Sequence, residues 1–346
     1  MTQHLPLHGG PDAWGVPLWD FSTNSNAAGP CPHTQTALAQ TDASHYPDPA
    51  YTQLRGALAA LHTVAPQRIV IGASGSELIT RLTHWIALHA PDARSAQNAQ
   101  APATVWLPAH AYGDYAHAAR QHGLQRSIHA AHADLVWLCA PSSPHGQPLH
   151  LPPDWAQRPA QATTVLDCAY APLQLTTTPI TPGLDRNRTW QIWTPNKALG
   201  LCGIRAAYAI APADAAPEPV QQLIALAPSW PLGSHGVALL HSWCTPVVQT
   251  WLAHARHTLA QWKQQQLALL QQLDWECLPS ETNFLLTRPR LAPQQTLPEL
   301  LAGLRQNGIK LRDATSFGLP GWVRLCVHTP QAQAALAQAV RRLTPV

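Results

Sequence analysis

Six short apolar runs, each bounded by turn residues, constrain the fold of this 346-residue chain more than any other feature of its sequence. Most of them are separated by helical or loop segments, and a run that is apolar throughout is typical of a strand buried on both faces. The alternation therefore predicts an α/β fold with a mainly parallel sheet. The runs lie at residues 68–72, 104–108, 134–140, 163–169, 189–193 and 205–211.

The pattern of the chain changes after residue 245. Over residues 246–273 apolar side chains recur every three or four positions, which predicts a long amphipathic helix. Short strand-like runs, including IKLR at residues 309–312, then alternate with two helices predicted at 296–306 and 330–342. This order indicates a compact α+β domain at the end of the chain.

One large and one small domain fit the length of the chain, because 346 residues exceed one ordinary domain but are few for three. The large α/β domain is predicted over residues 31–245 and the small α+β domain over residues 246–346. Residues 1–30 are predicted to form an arm that contributes to the active site and to the small domain.

The charge of the chain argues against nucleic-acid and membrane partners. Charged residues make up only 11% of the sequence, against about 25% in an average domain. The formal net charge of +3 is spread along the chain with no basic run. The N-terminal residues contain no basic segment followed by an apolar core, and no apolar run is long enough to cross a membrane. We therefore expect a cytoplasmic protein.

Cysteine and histidine spacing argues against a metal site. None of the seven cysteines belongs to a C-x-x-C pair, and none of the 19 histidines belongs to an H-E-x-x-H motif. We expect no metal and mostly reduced, buried cysteines.

Lys197 is the most conspicuous of only three lysines. It follows the run at 189–193 and precedes a glycine-spaced loop that ends at Arg205. A lysine amine in a partly desolvated pocket attacks carbonyl groups, and pyridoxal phosphate uses such a lysine through a Schiff base. Thr194 and Arg205 could bind the phosphate of that cofactor. Taken alone, the pattern also fits an ordinary loop lysine, as we expect for Lys263, which lies in a Gln-rich helical run and is predicted to be solvated.

The residues that follow each run are candidate binding residues, because ligands of open α/β sheets bind at the carboxyl ends of the strands. Gly75 and Ser76 would open a helix whose N-terminal amides seat a phosphate, unless Ser76 is only an N-cap. Tyr112 could stack on a flat cofactor ring or pack in the core.

Asp167 ends an otherwise apolar strand, where a buried carboxylate is costly unless a cation meets it. The protonated ring nitrogen of pyridoxal phosphate would be such a cation, and a carboxylate there keeps the ring able to accept electrons. A helix or turn cap is the alternative role. Tyr170, three residues later, could donate to the phenolic oxygen of the cofactor.

These features, in this order, resemble the class I/II aminotransferase group of fold-type I pyridoxal phosphate (PLP) enzymes. The resemblance covers nearly the whole chain, and it implies PLP as cofactor and a mainly parallel seven-stranded sheet in the large domain. Within the group the chain is most similar to the threonine-phosphate decarboxylases of cobalamin synthesis, and next to the histidinol-phosphate aminotransferases. The segments that carry this similarity are residues 8–10 (HGG), 20–26, 45–51, 228–240 and the pair Arg312 and Arg324.

The resemblance assigns roles within the cofactor site. Lys197 would bind the cofactor as a Schiff base and later shuttle protons, while Asp167 would pair with the pyridine nitrogen. Tyr170 would contact the phenolic oxygen, and Tyr112 would stack on the ring. The residues that would hold the cofactor phosphate are Gly75, Ser76, Thr194 and Arg205.

The resemblance also implies a substrate site and a homodimer. Arg324 resembles the arginine that grips the substrate in this group, usually by its α-carboxylate. Arg312, His8 and Asn24 would favour the phosphate of a phosphorylated amino acid. Which arginine takes which anion stays open. Tyr46 resembles a tyrosine that reaches the cofactor phosphate across a dimer interface.

Two positions depart from the pattern of the group. Ser143 replaces the asparagine that normally contacts the phenolic oxygen of the cofactor, so we expect one weaker cofactor contact. Asn196 precedes the lysine at a position where small or hydroxyl residues are commoner.

The resemblance implies that the chain decarboxylates L-threonine O-3-phosphate to (R)-1-aminopropan-2-yl phosphate. An aminotransferase acting on histidinol phosphate or a similar amino donor is the alternative, because the sequence does not show whether CO2 or a proton leaves the α-carbon. A catalytically inactive binding module is a third hypothesis, against which the retained Lys197, Asp167, Tyr170 and Arg205 stand.

Overall fold

The computed structural model describes residues 9–90, 101–159 and 161–344 of the chain. The strands are β1 Trp19–Asp20, β2 Ile69–Gly72, β3 Thr104–Trp106, β4 Gln125–Arg126, β5 Leu135–Cys139, β6 Thr163–Asp167, β7 Trp190–Trp193, β8 Ala207–Ile210, β9 Glu276–Cys277, β10 Phe284–Arg288, β11 Ile309–Lys310, β12 Arg312–Asp313 and β13 Val323–Cys326. The α-helices are α1 Pro32–Ala39, α2 Thr52–His62, α3 Gly75–His89, α4 Gly113–Gln121, α5 Pro217–Ala225, α6 Ser234–Trp243, α7 Pro246–Gln272, α8 Leu297–Gln306 and α9 Pro330–Leu343.

A seven-stranded sheet in the order β2-β8-β7-β6-β5-β3-β4 forms the centre of the larger part of the fold. Its strands are parallel except β8, which runs antiparallel to both of its neighbours. All six apolar runs form strands of this sheet, so the prediction of a mainly parallel α/β fold is confirmed. The seventh strand, β4, consists of two exposed polar residues, and it therefore has no apolar pattern from which to predict it.

The sheet is buried on both faces, which explains why its strands read as continuous apolar runs. Alternate side chains of β2 point to opposite faces. Val70 packs in the same cluster as Leu78 of α3, whereas Ile69 and Ile71 pack with Leu239 of α6. Burial of each such side chain contributes about 1.5–3 kcal/mol, so the two layers of helices hold the strand ends in fixed positions.

A second sheet, in the order β12-β13-β10-β9, is antiparallel throughout. The preceding helix α7 ends one residue earlier than predicted, and α8 and α9 match the predicted helices to within one residue. The predicted strand at 309–312 is wrong in one respect, because it forms two strands in different sheets. β12 pairs with β13, whereas β11 pairs in parallel with β1 near the start of the chain.

The prediction for Lys263 is also wrong. This residue of α7 is buried, and its Nζ donates hydrogen bonds to the carbonyl oxygens of Ser280 and Thr282. The Gln-rich sequence around Lys263 did not predict this burial, because both carbonyl groups belong to the loop between β9 and β10 and not to α7. Burial lowers the pKa of Lys263 to about 8.

The exact domain boundaries near residues 30 and 245 remain predictions. No helix within the described ranges is long and apolar enough to span a bilayer. No group of three or more metal-binding side chains lies together in this part of the chain.

Candidate active site

A cavity of about 580 Å³ lies where the carboxyl ends of β2, β6 and β7 face β12 and β13. The structure brings nearly all of the predicted site residues to this cavity. Those that line it are Asn24, Gly75, Ser76, Tyr112, Ser143, Asp167, Tyr170, Thr194, Lys197, Arg205, Arg312 and Arg324. Tyr46 is not among the lining residues of its own chain, and its side chain is 79% exposed. His8 lies outside the described residues.

Lys197 sits in a tight turn immediately after β7. The turn is closed by hydrogen bonds from Leu199 N to Pro195 O at 2.9 Å and from Leu201 N to Asn196 O at 2.8 Å. Its Nζ lies 5.5 Å from the centre of the Tyr170 ring. The backbone turn therefore presents the lysine amine to the cavity from one fixed side.

The N-terminus of α3 forms one end of the cavity. Ser74 is its N-cap and its Oγ accepts from Glu77 N at 3.1 Å, so the alternative that Ser76 is the cap is wrong. A Cβ on Gly75 would lie 2.9 Å from Cγ2 of Thr194, which leaves no room for a larger residue. The Oγ1 of Thr194 is buried and has no hydrogen-bond partner among the described residues. Free amides at a helix N-terminus and an unpartnered hydroxyl fit a phosphate group.

Two charged residues that sequence reasoning missed support this turn. Glu77 accepts from the backbone N–H of Ala73 at 3.1 Å, and it forms an ion pair with buried Arg81 at 2.6 Å. Arg81 also donates to Ile71 O at 3.1 Å. Glu77 and Arg81 are four residues apart on one helix, and this spacing could have predicted their ion pair.

Asp167 lies at the end of β6 and is buried. Its Oδ1 accepts from the backbone N–H of Ala169 at 2.9 Å, and its Oδ2 accepts from the hydroxyl of Tyr115 at 2.6 Å. The carboxylate therefore both caps a turn and faces the cavity, so the two predicted roles are not exclusive. Burial raises the pKa of Asp167. Sequence reasoning missed Tyr115, although it stands three residues after Tyr112, at helical spacing.

Two tyrosine rings form walls of the cavity. Tyr112 meets the ring of Tyr115 edge-on, with the ring centres 5.8 Å apart, and its hydroxyl lies 3.3 Å from Ser76 Oγ. Burial raises the pKa of Tyr112, which keeps its hydroxyl protonated. Tyr170 packs edge-on against Phe284 at 4.7 Å. Both rings are thus held by neighbours from other elements.

Arg312 and Arg324 form the opposite wall. They lie directly across from each other on β12 and β13, and they are only 4% and 7% exposed. Arg324 donates to Ser143 Oγ at 3.2 Å and to Ser22 O at 3.3 Å, while its Nε is buried without a partner among the described residues. Burial and the nearby charge of Arg324 lower the pKa of Arg312 to about 10. Like charges opposite each other destabilise a sheet, so this pair fits an anionic ligand.

Two asparagines add unsatisfied polar groups. Both side-chain amide atoms of Asn24 are buried and have no hydrogen-bond partner in the described part of the chain. Asn196 donates to Cys202 O at 3.4 Å, but its Oδ1 is buried without a partner there. Buried polar atoms without partners are costly, and they indicate that a polar ligand completes this cavity.

Comparisons with known proteins show the family of the chain. The family described as Aminotransferase class I and II matches residues 17–342. A histidinol-phosphate aminotransferase of Rhodopseudomonas palustris (strain BisA53) is 26% identical over 345 residues, which cover 94% of this chain and 91% of the relative.

Solved structures share the fold. A histidinol-phosphate aminotransferase from Sinorhizobium meliloti, solved in complex with pyridoxal-5'-phosphate, has a TM-score of 0.77 at 21% identity, covering 99% of this chain and 97% of that one. An L-threonine-O-3-phosphate decarboxylase from Porphyromonas gingivalis has a TM-score of 0.71 at 21% identity, covering 93% of this chain and 98% of that one. The predicted fold type and its PLP-dependent class are confirmed.

Proposed function

The chain belongs to the class I and II aminotransferase family, and on this premise we propose that it decarboxylates L-threonine O-3-phosphate. The product is (R)-1-aminopropan-2-yl phosphate, an amino alcohol phosphate of cobalamin synthesis. The observation that carries the proposal is the buried pair of Arg312 and Arg324 in the same cavity as Lys197. Two guanidinium groups suit a substrate with two anionic groups, such as a carboxylate and a phosphate.

The residues around the cavity fit PLP. When bound, this cofactor supplies an electron sink for bonds at the α-carbon of an amino acid. We assign the ring nitrogen to Asp167, the phenolic oxygen to Tyr170 and the ring face to Tyr112. The residues assigned to its phosphate are Gly75, Ser76, Thr194 and Arg205. The unpartnered Oγ1 of Thr194 and the small space at Gly75 support this assignment.

Lys197 performs two tasks in this proposal. Its amine would hold the cofactor, and it would return a proton to the α-carbon that loses CO2. The turn that fixes Lys197 keeps the amine close to the same carbon in both tasks. The ring of Tyr170 lies beside the amine, with its centre 5.5 Å from Nζ.

Arg324 is the proposed partner of the α-carboxylate, because it donates to Ser143 Oγ, and Ser143 stands at the position predicted to contact the cofactor. Arg312, with Asn24 and His8, would bind the phosphate. This division would set the direction in which the α-carboxylate is held. Loss of CO2 rather than of a proton would depend on that direction.

The N-terminal arm is a candidate part of the phosphate site. Gly10 N donates to Ser22 Oγ at 2.8 Å, and a Cβ on Gly9 would lie 2.2 Å from Ser22 O. The two glycines therefore hold the backbone at residues 9–10 against Ser22, which lines the cavity. The glycine backbone there can approach a phosphate closely. Release of CO2 from L-threonine O-3-phosphate, but not from unphosphorylated L-threonine, would support the proposal, and equal rates would oppose it.

A class I/II aminotransferase acting on histidinol phosphate is the second candidate, and the name of the R. palustris relative favours it. Such an enzyme would use the same cofactor residues and both arginines. The third hypothesis, an inactive binding module, does not explain why Lys197 faces a cavity that also contains a buried carboxylate.

A homodimer is also part of the proposal. Tyr46 stacks on Trp230 at 4.5 Å, and Trp230 donates to Pro47 O at 3.0 Å, so the exposed Tyr46 ring is held in place. We propose that Tyr46 reaches the cofactor phosphate in the second copy of the chain.

A further inference from the structure

We infer that Tyr115 is a positioning residue for the cofactor: its hydroxyl fixes the direction of the Asp167 carboxylate and favours the charged form of that group. The inference rests on the proposed PLP site. It concerns a residue that neither the sequence patterns nor the assigned cofactor contacts include.

The carboxylate of Asp167 can accept further hydrogen bonds. Tyr115 donates to Oδ2 at 2.6 Å, and the backbone N–H of Ala169 donates to Oδ1 at 2.9 Å. A charged carboxylate can accept about four hydrogen bonds. Each oxygen therefore keeps an acceptor position, and Asp167 lines the cavity. The two donors fix the orientation of the carboxylate, and its remaining acceptor positions are available to a ring N–H in the cavity.

The Tyr115 ring is itself fixed. It is 0% exposed and stacks on Trp137, with the ring centres 4.7 Å apart and the planes 8° from parallel. Tyr112, the residue assigned to the cofactor face, touches its edge. Tyr112, which would contact the cofactor ring, therefore packs against Tyr115, which holds Asp167. The packing of these two rings positions both cofactor contacts.

The hydrogen bond from Tyr115 has a chemical consequence beyond position. A donor to a carboxylate stabilises the charged form relative to the neutral acid. A proton shared between Asp167 and the ring nitrogen of the cofactor is thereby kept on the nitrogen. Without the hydroxyl, the carboxylate takes more of that proton and the charge pair weakens.

A buried phenol could also be nothing more than core packing, and Tyr208 provides the matched control. Tyr208 is likewise 0% exposed, and its hydroxyl lies 2.7 Å from His62 Nε2 and accepts from Trp243 Nε1 at 3.1 Å. It does not line the cavity. Tyr115→Phe and Tyr208→Phe both delete one buried hydroxyl, but only the first touches Asp167.

The test measures cofactor binding to the cofactor-free proteins, without any turnover. Wild type, Tyr115→Phe and Tyr208→Phe are titrated with PLP and with its 1-deaza analogue, which has a C–H group in place of the ring nitrogen. We expect Tyr115→Phe to bind PLP about tenfold more weakly than wild type, since the lost bond is charge-assisted. With the analogue the two should bind alike, and Tyr208→Phe should match wild type with both ligands.

Other outcomes would overturn the inference. An equal loss with PLP and with the analogue would show that Tyr115 only shapes the pocket, and no loss with either would show that it does not act on the cofactor. Should Tyr115→Phe fail to fold, the same comparison is made with 3-fluorotyrosine at position 115, whose more acidic hydroxyl should strengthen PLP binding selectively. A wild-type protein that binds no PLP would overturn the proposed cofactor site first.

Discussion

Arg312 and Arg324 face each other across two antiparallel strands, and the ring of Phe317 lies 5.0 Å from the first guanidinium and 5.4 Å from the second. A buried pair of like charges is costly in an empty site. The shared aromatic face offsets part of this cost, because a ring attracts cations through its π electrons. The remainder is relieved when a substrate supplies two anionic groups, and we base the choice of substrate on this relationship.

Loss of either arginine is expected to lower kcat/KM for L-threonine O-3-phosphate by about 100-fold, because hydrogen bonds between charged groups contribute about 1.5–3 kcal/mol. Arg312→Met should lose activity toward the phosphorylated substrate while any slow reaction of L-threonine persists. Arg324→Met should lose both. The control is Arg290→Met, which removes an exposed arginine paired with Asp274. Steady-state kinetics that leave either cavity variant at wild-type activity would contradict the assignment.

Lys197→Ala is expected to abolish the visible absorbance of the cofactor-loaded protein and its activity, because no other lysine lines the cavity among the described residues. Lys310→Ala is the control, since Lys310 instead contacts Gly10 O and Asp12. Absorbance spectra measure the difference after each protein has been loaded with PLP and dialysed against buffer without PLP. A retained, dialysis-resistant band in Lys197→Ala would count against this lysine as the point of attachment.

Gly75→Ala is expected to weaken PLP binding by about tenfold or more, because the new Cβ would lie 2.9 Å from Thr194 Cγ2 and move the residues assigned to the phosphate. The matched control is Gly56→Ala in α2, where nothing lies within 4 Å of the added carbon. That change should stabilise the protein slightly, since alanine favours a helix. Equal PLP affinity in both variants would place the phosphate elsewhere.

The lowered pKa of Lys263 is expected to make the stability of the protein depend on pH. Burial lowers its pKa from 10.5 to about 8, so between these values the unfolded chain binds more protons at this residue than the folded protein does. The free energy of unfolding of wild type, measured relative to Lys263→Met, should therefore rise with pH across this window, by on the order of 2 kcal/mol. Urea titrations at about pH 7.5 and 9.5 compare the two proteins. A difference that is constant or falls with pH would contradict the expected titration.

The sequence predicted those parts of the fold in which the apolar residues form a clear local pattern and are also buried. Buried strands such as β5 have no polar residue to obscure them, and α7 keeps its apolar stripe over many turns. The two-residue strand β4 has neither feature. The split between β11 and β12 depends on pairing with the distant strand β1, which no local pattern encodes.

Residues of the candidate site differ in the same way. Residues at or shortly after the carboxyl ends of strands, such as Asp167 and Gly75, could be predicted because parallel strands end at one edge of the sheet. Tyr115 and Ser22 reach the site from a helix and from the N-terminal arm, and their contacts depend on tertiary packing. The burial of Lys263 likewise depends on tertiary packing, because a polar helical sequence does not reveal which loop will cover the helix.

The most direct test of the central claim is to incubate the PLP-loaded protein with L-threonine O-3-phosphate while measuring released CO2. In parallel, it is incubated with histidinol phosphate and 2-oxoglutarate while measuring glutamate. We predict CO2 release with formation of the amino alcohol phosphate, and no glutamate. Glutamate formation without CO2 release would contradict the decarboxylase and identify an aminotransferase, with the roles of Arg312 and Arg324 to be reassigned.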